Sequence, residues 1–307
     1  MELLSAALLA LFVVGYLVLA GSDVGLGMLM PHVARTPEER RRVVSAIAPY
    51  FLGSEVWLVA AVGVLAGLFP ALEHEIVVGL WPVLAALALG WLVRDAGLWF
   101  RARVDGRRWR SVCYTAVVAG SWTLALTWGL ALTGLAGGGL AADPFTVLGT
   151  IAVVALFALR GAAFGAERLV GSREAESADA AARATRTLSR VALVAVASTA
   201  LVAVTVDGHA PDRPWVAAVL AVVLLALLAA TSGLTGPMLS RHTSALAISV
   251  PGLLVALATD LPVSGPPGMT GAFVWSMLVP VVPVMLLGQV WLYRMTRRPA
   301  ASPTFFA

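Results

Sequence analysis

The chain has 307 residues, of which 60% are hydrophobic and only 12% charged, with a formal charge of +4 and a mean hydropathy of +0.90. Soluble domains carry about 25% charged residues, so this profile excludes an ordinary soluble domain and indicates a polytopic membrane protein. No basic run is long or interleaved with aromatics, which excludes a nucleic-acid surface, and the single cysteine, Cys113, excludes an intramolecular disulfide or a cysteine-built metal cluster.

A membrane-spanning helix needs about 20 largely apolar residues. In chain order such runs fall near 3–30, 44–69, 76–98, 112–135, 144–166, 188–206, 214–237, 243–259 and 270–293. The first has no basic residue before it and continues past Gly21 to Met30, so it is expected to be a mature span and not a cleavable leader. Thr36, with Glu39 three residues on, marks the start of the second helix as a capping box. The connection at about 167–187 is polar and alanine-rich, and is expected to extend the fifth or sixth span as a cytoplasmic helix. Backbone groups must be satisfied internally in lipid, and the alternating signature of a barrel is absent. The expected fold is therefore an all-α bundle of nine transmembrane helices forming a single membrane domain over 1–307.

The arginines set the expected direction. Eighteen lie in the loops after spans one, three, five, seven and nine, among them Arg35, Arg101, Arg173, Arg241, Arg297 and Arg298. The alternate loops, around His74, Asp143, His209 and Asp260, contain Arg213 alone. Under the positive-inside rule the N-terminus is outside and the C-terminus cytoplasmic. Direction then converts residue number into depth. Asp23 lies about 30 Å along the first span, near the cytoplasmic side, and Glu55 about 15 Å from the cytoplasmic end of the second. Arg94, Asp95 and Arg160 fall in the same half of the bundle, and Arg94 and Arg101, seven apart, share a helix face.

Acids at such depth are costly unless paired, protonated or wetted, and they mark ion paths or buried polar contacts. Asp23 and Glu55 are each open to both readings. Arg94 and Arg160 are expected to snorkel to headgroups, and Asp95 to be solvated or paired with an arginine. Glycines at four-residue spacing, Gly21/Gly25, Gly63/Gly67 and Gly161/Gly165, suit close helix packing. Trp81, Trp215 and Trp275 fit interfacial belts. The histidines His32, His74, His209 and His242 fall in loops or at span ends, so no heme is expected in this chain itself.

The stretch GSDVGLGMLMPHVARTPEERRRVVSAIAPYFLGSEVWLVAAVGVLAGLFP resembles the first third of subunit II of cytochrome bd-type ubiquinol oxidases. The likeness continues through VRDAGLWFRARV and the following RRW, so that it is best over 20–110; beyond, it rests on span count and direction. It implies a non-heme subunit in the bacterial plasma membrane, packed against a heme-bearing subunit I. That partner is expected to carry hemes b and d, oxidise quinol and reduce dioxygen to water. The resemblance also implies a structural quinone or lipid and small single-span subunits as further partners.

Carried over residue by residue, it makes Asp23, Glu55, Arg94 and Arg101 candidate proton-path or buried polar residues. Trp57, Gly21, Gly25 and Gly53 become candidate helix or subunit contacts. Two positions depart from the family pattern: Ala20 replaces its first acid, and Leu52 stands where the acid associated with proton delivery is expected. A secondary transporter and a purely structural or assembly subunit are the alternatives.

Overall fold

The computed structural model describes residues 2–104, 106–170, 175–206, 211–233, 236–265 and 269–295. The sequence features at Arg173, His209, Arg297 and Arg298 lie outside them. Among the described residues there are nine helices and no strand: α1 (Glu2–Val33), α2 (Pro37–Leu68), α3 (Pro70–Phe100), α4 (Arg107–Ala136), α5 (Pro144–Arg168), α6 (Ala175–Thr205), α7 (Pro214–Gly233), α8 (Pro237–Ala258) and α9 (Met269–Met295). Each coincides with an expected span, and all nine are long and apolar enough to cross a membrane. The protein is thus a multi-pass membrane helical bundle. Of the polar connection at about 167–187, the residues from Ala175 onward belong to α6.

Local chemistry explains the ends. Proline occupies the first helical position of α2, α3, α5, α7 and α8, where the missing N–H costs nothing and φ is preset. Thr36 accepts from the Glu39 backbone N–H at 3.2 Å, and the Glu39 carboxylate takes the Thr36 N–H at 2.9 Å, which is the expected capping box. Asp143 caps α5 through the Thr146 N–H at 2.8 Å. Within α3, Leu80 leaves helical geometry two residues before Pro82, the ring that removes a backbone donor and kinks the helix.

The first four helices pack around one another, as do α5 to α8, and the two groups meet where α1 crosses α5 and α8 and where α4 packs on α5. That crossing is close. A Cβ on Gly25 would stand 1.9 Å from the Phe157 carbonyl oxygen, and one on Gly161 would stand 2.0 Å from the Gly25 carbonyl carbon, so both positions need glycine. The main core runs along this seam through Phe12, Leu17, Leu124, Leu156, Phe157 and Ile248. The ninth helix is different: it leans on α2, with one hydrogen bond from Trp275 to Ser5 of α1 at 3.1 Å, and presents most of its surface outward.

Candidate functional site

Asp23 sits in the glycine-rich half of α1 and is fully buried. One carboxylate oxygen accepts from Arg94 Nη2 at 2.8 Å and from Ser54 Oγ at 3.1 Å; the other accepts the Val24 N–H at 2.7 Å. A single acid therefore joins α1, α2 and α3. Arg94 itself is 2% exposed. It is enclosed because α3 and α4 approach at glycine: a Cβ on Gly120 would stand 2.6 Å from the Arg94 Cβ and 2.5 Å from the Gly90 carbonyl. The Phe51 ring lies 6.0 Å from the guanidinium carbon, a cation–π distance.

The cluster continues toward the edge of the bundle. Arg94 Nη1 reaches Asp95 Oδ1 at 3.4 Å, and the Asp95 side chain is 19% exposed. The Asp95 carboxyl lies beside that of Glu55 on the neighbouring helix. Glu55 also accepts from Trp91 Nε1 at 3.1 Å, and it is partly exposed beside Leu52 and Val56. From core to edge the sequence of groups is Asp23, Arg94, Asp95, Glu55. Leu52, the position at which the family pattern has an acid, lies three residues before Glu55 on α2 and faces outward.

Arg101 shares the α3 face with Arg94 but not its partners. It is buried, donates to the Tyr114 hydroxyl at 3.1 Å, and stands 5.6 Å from that ring; Arg40 lies 5.9 Å from the same ring. The packing candidates all lie at contacts within the chain. Gly21 faces Arg160 and Ile248, Gly25 meets α5, and Gly53 faces Leu292 and Gln289 of α9. Trp57 is buried, edge-on to Phe12 at 5.9 Å, and its Nε1 donates to Gln289 at 3.4 Å.

The expectation that Arg94 and Arg160 snorkel is corrected. Both are buried, because the bundle supplies acceptors that headgroups would otherwise provide. Arg160 donates to the Val18 carbonyl at 3.2 Å and to the Arg241 carbonyl at 2.9 Å, and Arg241 in turn holds Glu167 at 2.5 Å. Sequence reasoning misses Ser54, Asp95 as the neighbour of Glu55, and the Glu167–Arg241 pair. Their partners lie far away in sequence, and only the weak signal of polar residues inside apolar spans marks them.

Toward the arginine-poor end, a cavity of about 800 Å³ runs between α1, α2, α3, α4 and α8. It extends from Glu2, Arg213 and Asp260 to Trp91, and its walls are mostly aliphatic. His32, His74 and His242 are exposed near helix ends, and among the described residues no group of three His, Cys, Asp or Glu side chains is placed to hold a metal ion.

The family model for cytochrome bd terminal oxidase subunit II matches residues 1–296. The probable cytochrome oxidase subunit 2 of Haemophilus influenzae is 30% identical over 128 residues, 42% of this chain and 34% of that protein. Cytochrome bd-I ubiquinol oxidase subunit 2 of Escherichia coli K12 is 29% identical over 140 residues, 46% of this chain and 36% of that protein. Cytochrome bd ubiquinol oxidase subunit 2 of Bacillus subtilis is 30% identical over 114 residues, 37% of this chain and 34% of that protein. The chain thus spans about a third of the length of these curated relatives in the aligned regions. A chain in the structure of bd oxidase from Geobacillus thermodenitrificans superposes with a TM-score of 0.76, covering 96% of this chain and 98% of that one at 15% identity, which establishes the shared fold.

Proposed function

The chain belongs to the cytochrome bd terminal oxidase subunit II family, and from that membership we propose that it is the non-heme subunit of a bd-type quinol oxidase. In this reading a heme-bearing subunit I oxidises quinol and reduces dioxygen to water, and this chain braces it. The observation that carries the reading is the buried Asp23–Arg94–Ser54 contact, which fixes three helices around a carboxyl pair, Asp95 and Glu55, that opens to the bundle edge. Reduction of dioxygen to water consumes protons, and neighbouring carboxyl groups inside a membrane bundle are groups through which a proton can be relayed. This supports a contribution to proton uptake alongside the bracing role.

The arginine asymmetry supports an extracellular N-terminus and a cytoplasmic C-terminus in a bacterial plasma membrane. The acid cluster then faces the cytoplasmic half, the side from which protons would be drawn. The aliphatic cavity suits the hydrocarbon body of a quinone or lipid, with the charged side chains Glu2, Arg213 and Asp260 in its lining.

The test is co-expression with a membrane protein encoded beside it that carries in-span histidine and methionine residues. A tag on this chain should bring down a heme-bearing, quinol-oxidising complex, and the chain expressed alone should show no heme absorption. A stable heme protein formed by this chain alone, or substrate uptake by it in proteoliposomes, would overturn the reading.

A further inference from the structure

We propose that the outward face of α4 seats an anionic phospholipid, with its phosphate on Arg107, Arg108 and Arg110 and an acyl chain along the helix. The proposal needs only a bundle in lipid and does not rest on the oxidase reading.

The charge is concentrated at this corner. Residues 101–110 hold five arginines and one acid, Asp105, which lies outside the described residues. Arg107, Arg108 and Arg110 are exposed on the first turn of α4, a turn without an acidic side chain. Among the described residues no acid pairs with any of the three. Behind them, Arg40 of α2 and Arg101 of α3 stand over the Tyr114 ring at 5.9 and 5.6 Å and add to the same positive field. Charge elsewhere at this end of the bundle is mixed. The first turn of α2 carries Glu38 and Glu39, Glu176 at the start of α6 pairs with Arg35, and Arg241 of α8 holds Glu167. A cluster of like cations at a membrane surface attracts anionic headgroups.

The corner is also held in place. Trp109 Nε1 donates to the Phe100 carbonyl at 2.8 Å, which ties the start of α4 to the end of α3. That indole is 38% exposed, at the level where headgroups meet hydrocarbon.

Beyond the arginines the helix offers a track for an acyl chain. Arg108, Val112, Thr115, Ala119, Trp122 and Leu126 follow steps of four, three, four, three and four, so they share one stripe, and all are exposed. Thr115 and Ala119 are small and lie between the bulkier Val112 and Trp122, which leaves a shallow trough. Val112 and Trp122 are separated by about 15 Å of rise, half of a hydrocarbon core about 30 Å thick. The trough is one leaflet deep and begins where the arginines end. Charge at one end and apolar length at the other select a lipid. Free phosphate would use the charge and leave the stripe untouched, and a helix from another chain would cross both leaflets without needing an anion.

The experiment takes the tagged full chain with whatever membrane subunit accompanies it, stripped of lipid in detergent. It is titrated with phosphatidylglycerol, phosphatidylcholine or inorganic phosphate; native mass spectrometry reads retained lipid and the thermal midpoint reads stabilisation. Phosphatidylglycerol should be retained and raise the midpoint, and the other two should do neither. Arg107→Gln, Arg108→Gln and Arg110→Gln together should weaken its binding by about fivefold per arginine, on the order of a hundredfold in all. Arg183→Gln, Arg186→Gln and Arg190→Gln together, on α6, should leave it unchanged. Ala119→Phe fills the trough at an exposed position and should lower retention with every arginine in place. Equal retention or equal loss in the two triple variants would overturn the site, as would retention of phosphatidylcholine to the same extent. Stabilisation by inorganic phosphate that matches phosphatidylglycerol would overturn the lipid in favour of a free anion. Unchanged retention in Ala119→Phe would overturn the acyl track. Should the triple variant fail to accumulate, each single change gives the same test, with a loss of about fivefold expected and no loss in any of them overturning the site.

Discussion

Arg94 of α3 and Asp23 of α1 hold each other at 2.8 Å, both enclosed by the bundle, with Ser54 of α2 as third partner. Removal of one member leaves the other charge buried without its counterion, a change that typically costs about 3–5 kcal/mol. Asp23→Ala and Arg94→Ala should each sharply lower the thermal midpoint and yield of the detergent-solubilised protein. Asp23→Leu combined with Arg94→Met should cost much less than the sum of the single changes. A double-mutant cycle measures this, and additive costs would mean that the pair is not coupled.

Glu55 separates relay from bracing. Glu55→Gln should assemble normally and slow quinol oxidation, because the amide keeps hydrogen bonds but cannot take up and release a proton. Oxygen consumption by the purified complex, set against its heme content, reads both. Wild-type turnover in Glu55→Gln, with only reduced assembly in Glu55→Ala, would assign the residue to bracing alone.

The glycines divide by position. Gly25→Ala places a methyl 1.9 Å from the Phe157 carbonyl, so α1 and α5 must part; losses of about 1–3 kcal/mol are typical of such overpacking, and more is expected where backbone meets backbone. Gly63→Ala meets open space and should leave the stability of the chain alone unchanged. Size-exclusion profiles and melting of the two variants give the comparison.

The cap of α2 is the mildest case. Thr36→Ala breaks one side of the capping box and should cost about 0.5–2 kcal/mol, visible as a small drop in melting temperature with turnover preserved.

Much of the fold is legible in the chain itself. Apolar runs mark the nine helices of the described residues, five of them opened by proline, because lipid leaves the backbone no other solution. Asp23 and Glu55 stand out because a short acid in a span cannot reach water. The partners are not legible. Asp23 finds Arg94 71 positions away, and Arg160 finds the Val18 carbonyl 142 positions away. Those meetings depend on how closely the helices cross, which is set by Gly25, Gly161, Gly90 and Gly120 together. A long arginine near a span end looks the same in sequence whether it snorkels or turns inward. Four-residue glycine spacing is equally ambiguous: Gly25 lies against backbone, and Gly63 at the same spacing touches nothing.

The seating of α9 bears on how the protein is made. It follows α1 to α8 in the chain and rests chiefly on one neighbour, so those eight helices can complete their packing before it arrives. A segment so lightly held also opens first when the native protein breathes. Insertion of α9 is thereby separable from the packing of the eight helices before it, and amide exchange should begin there.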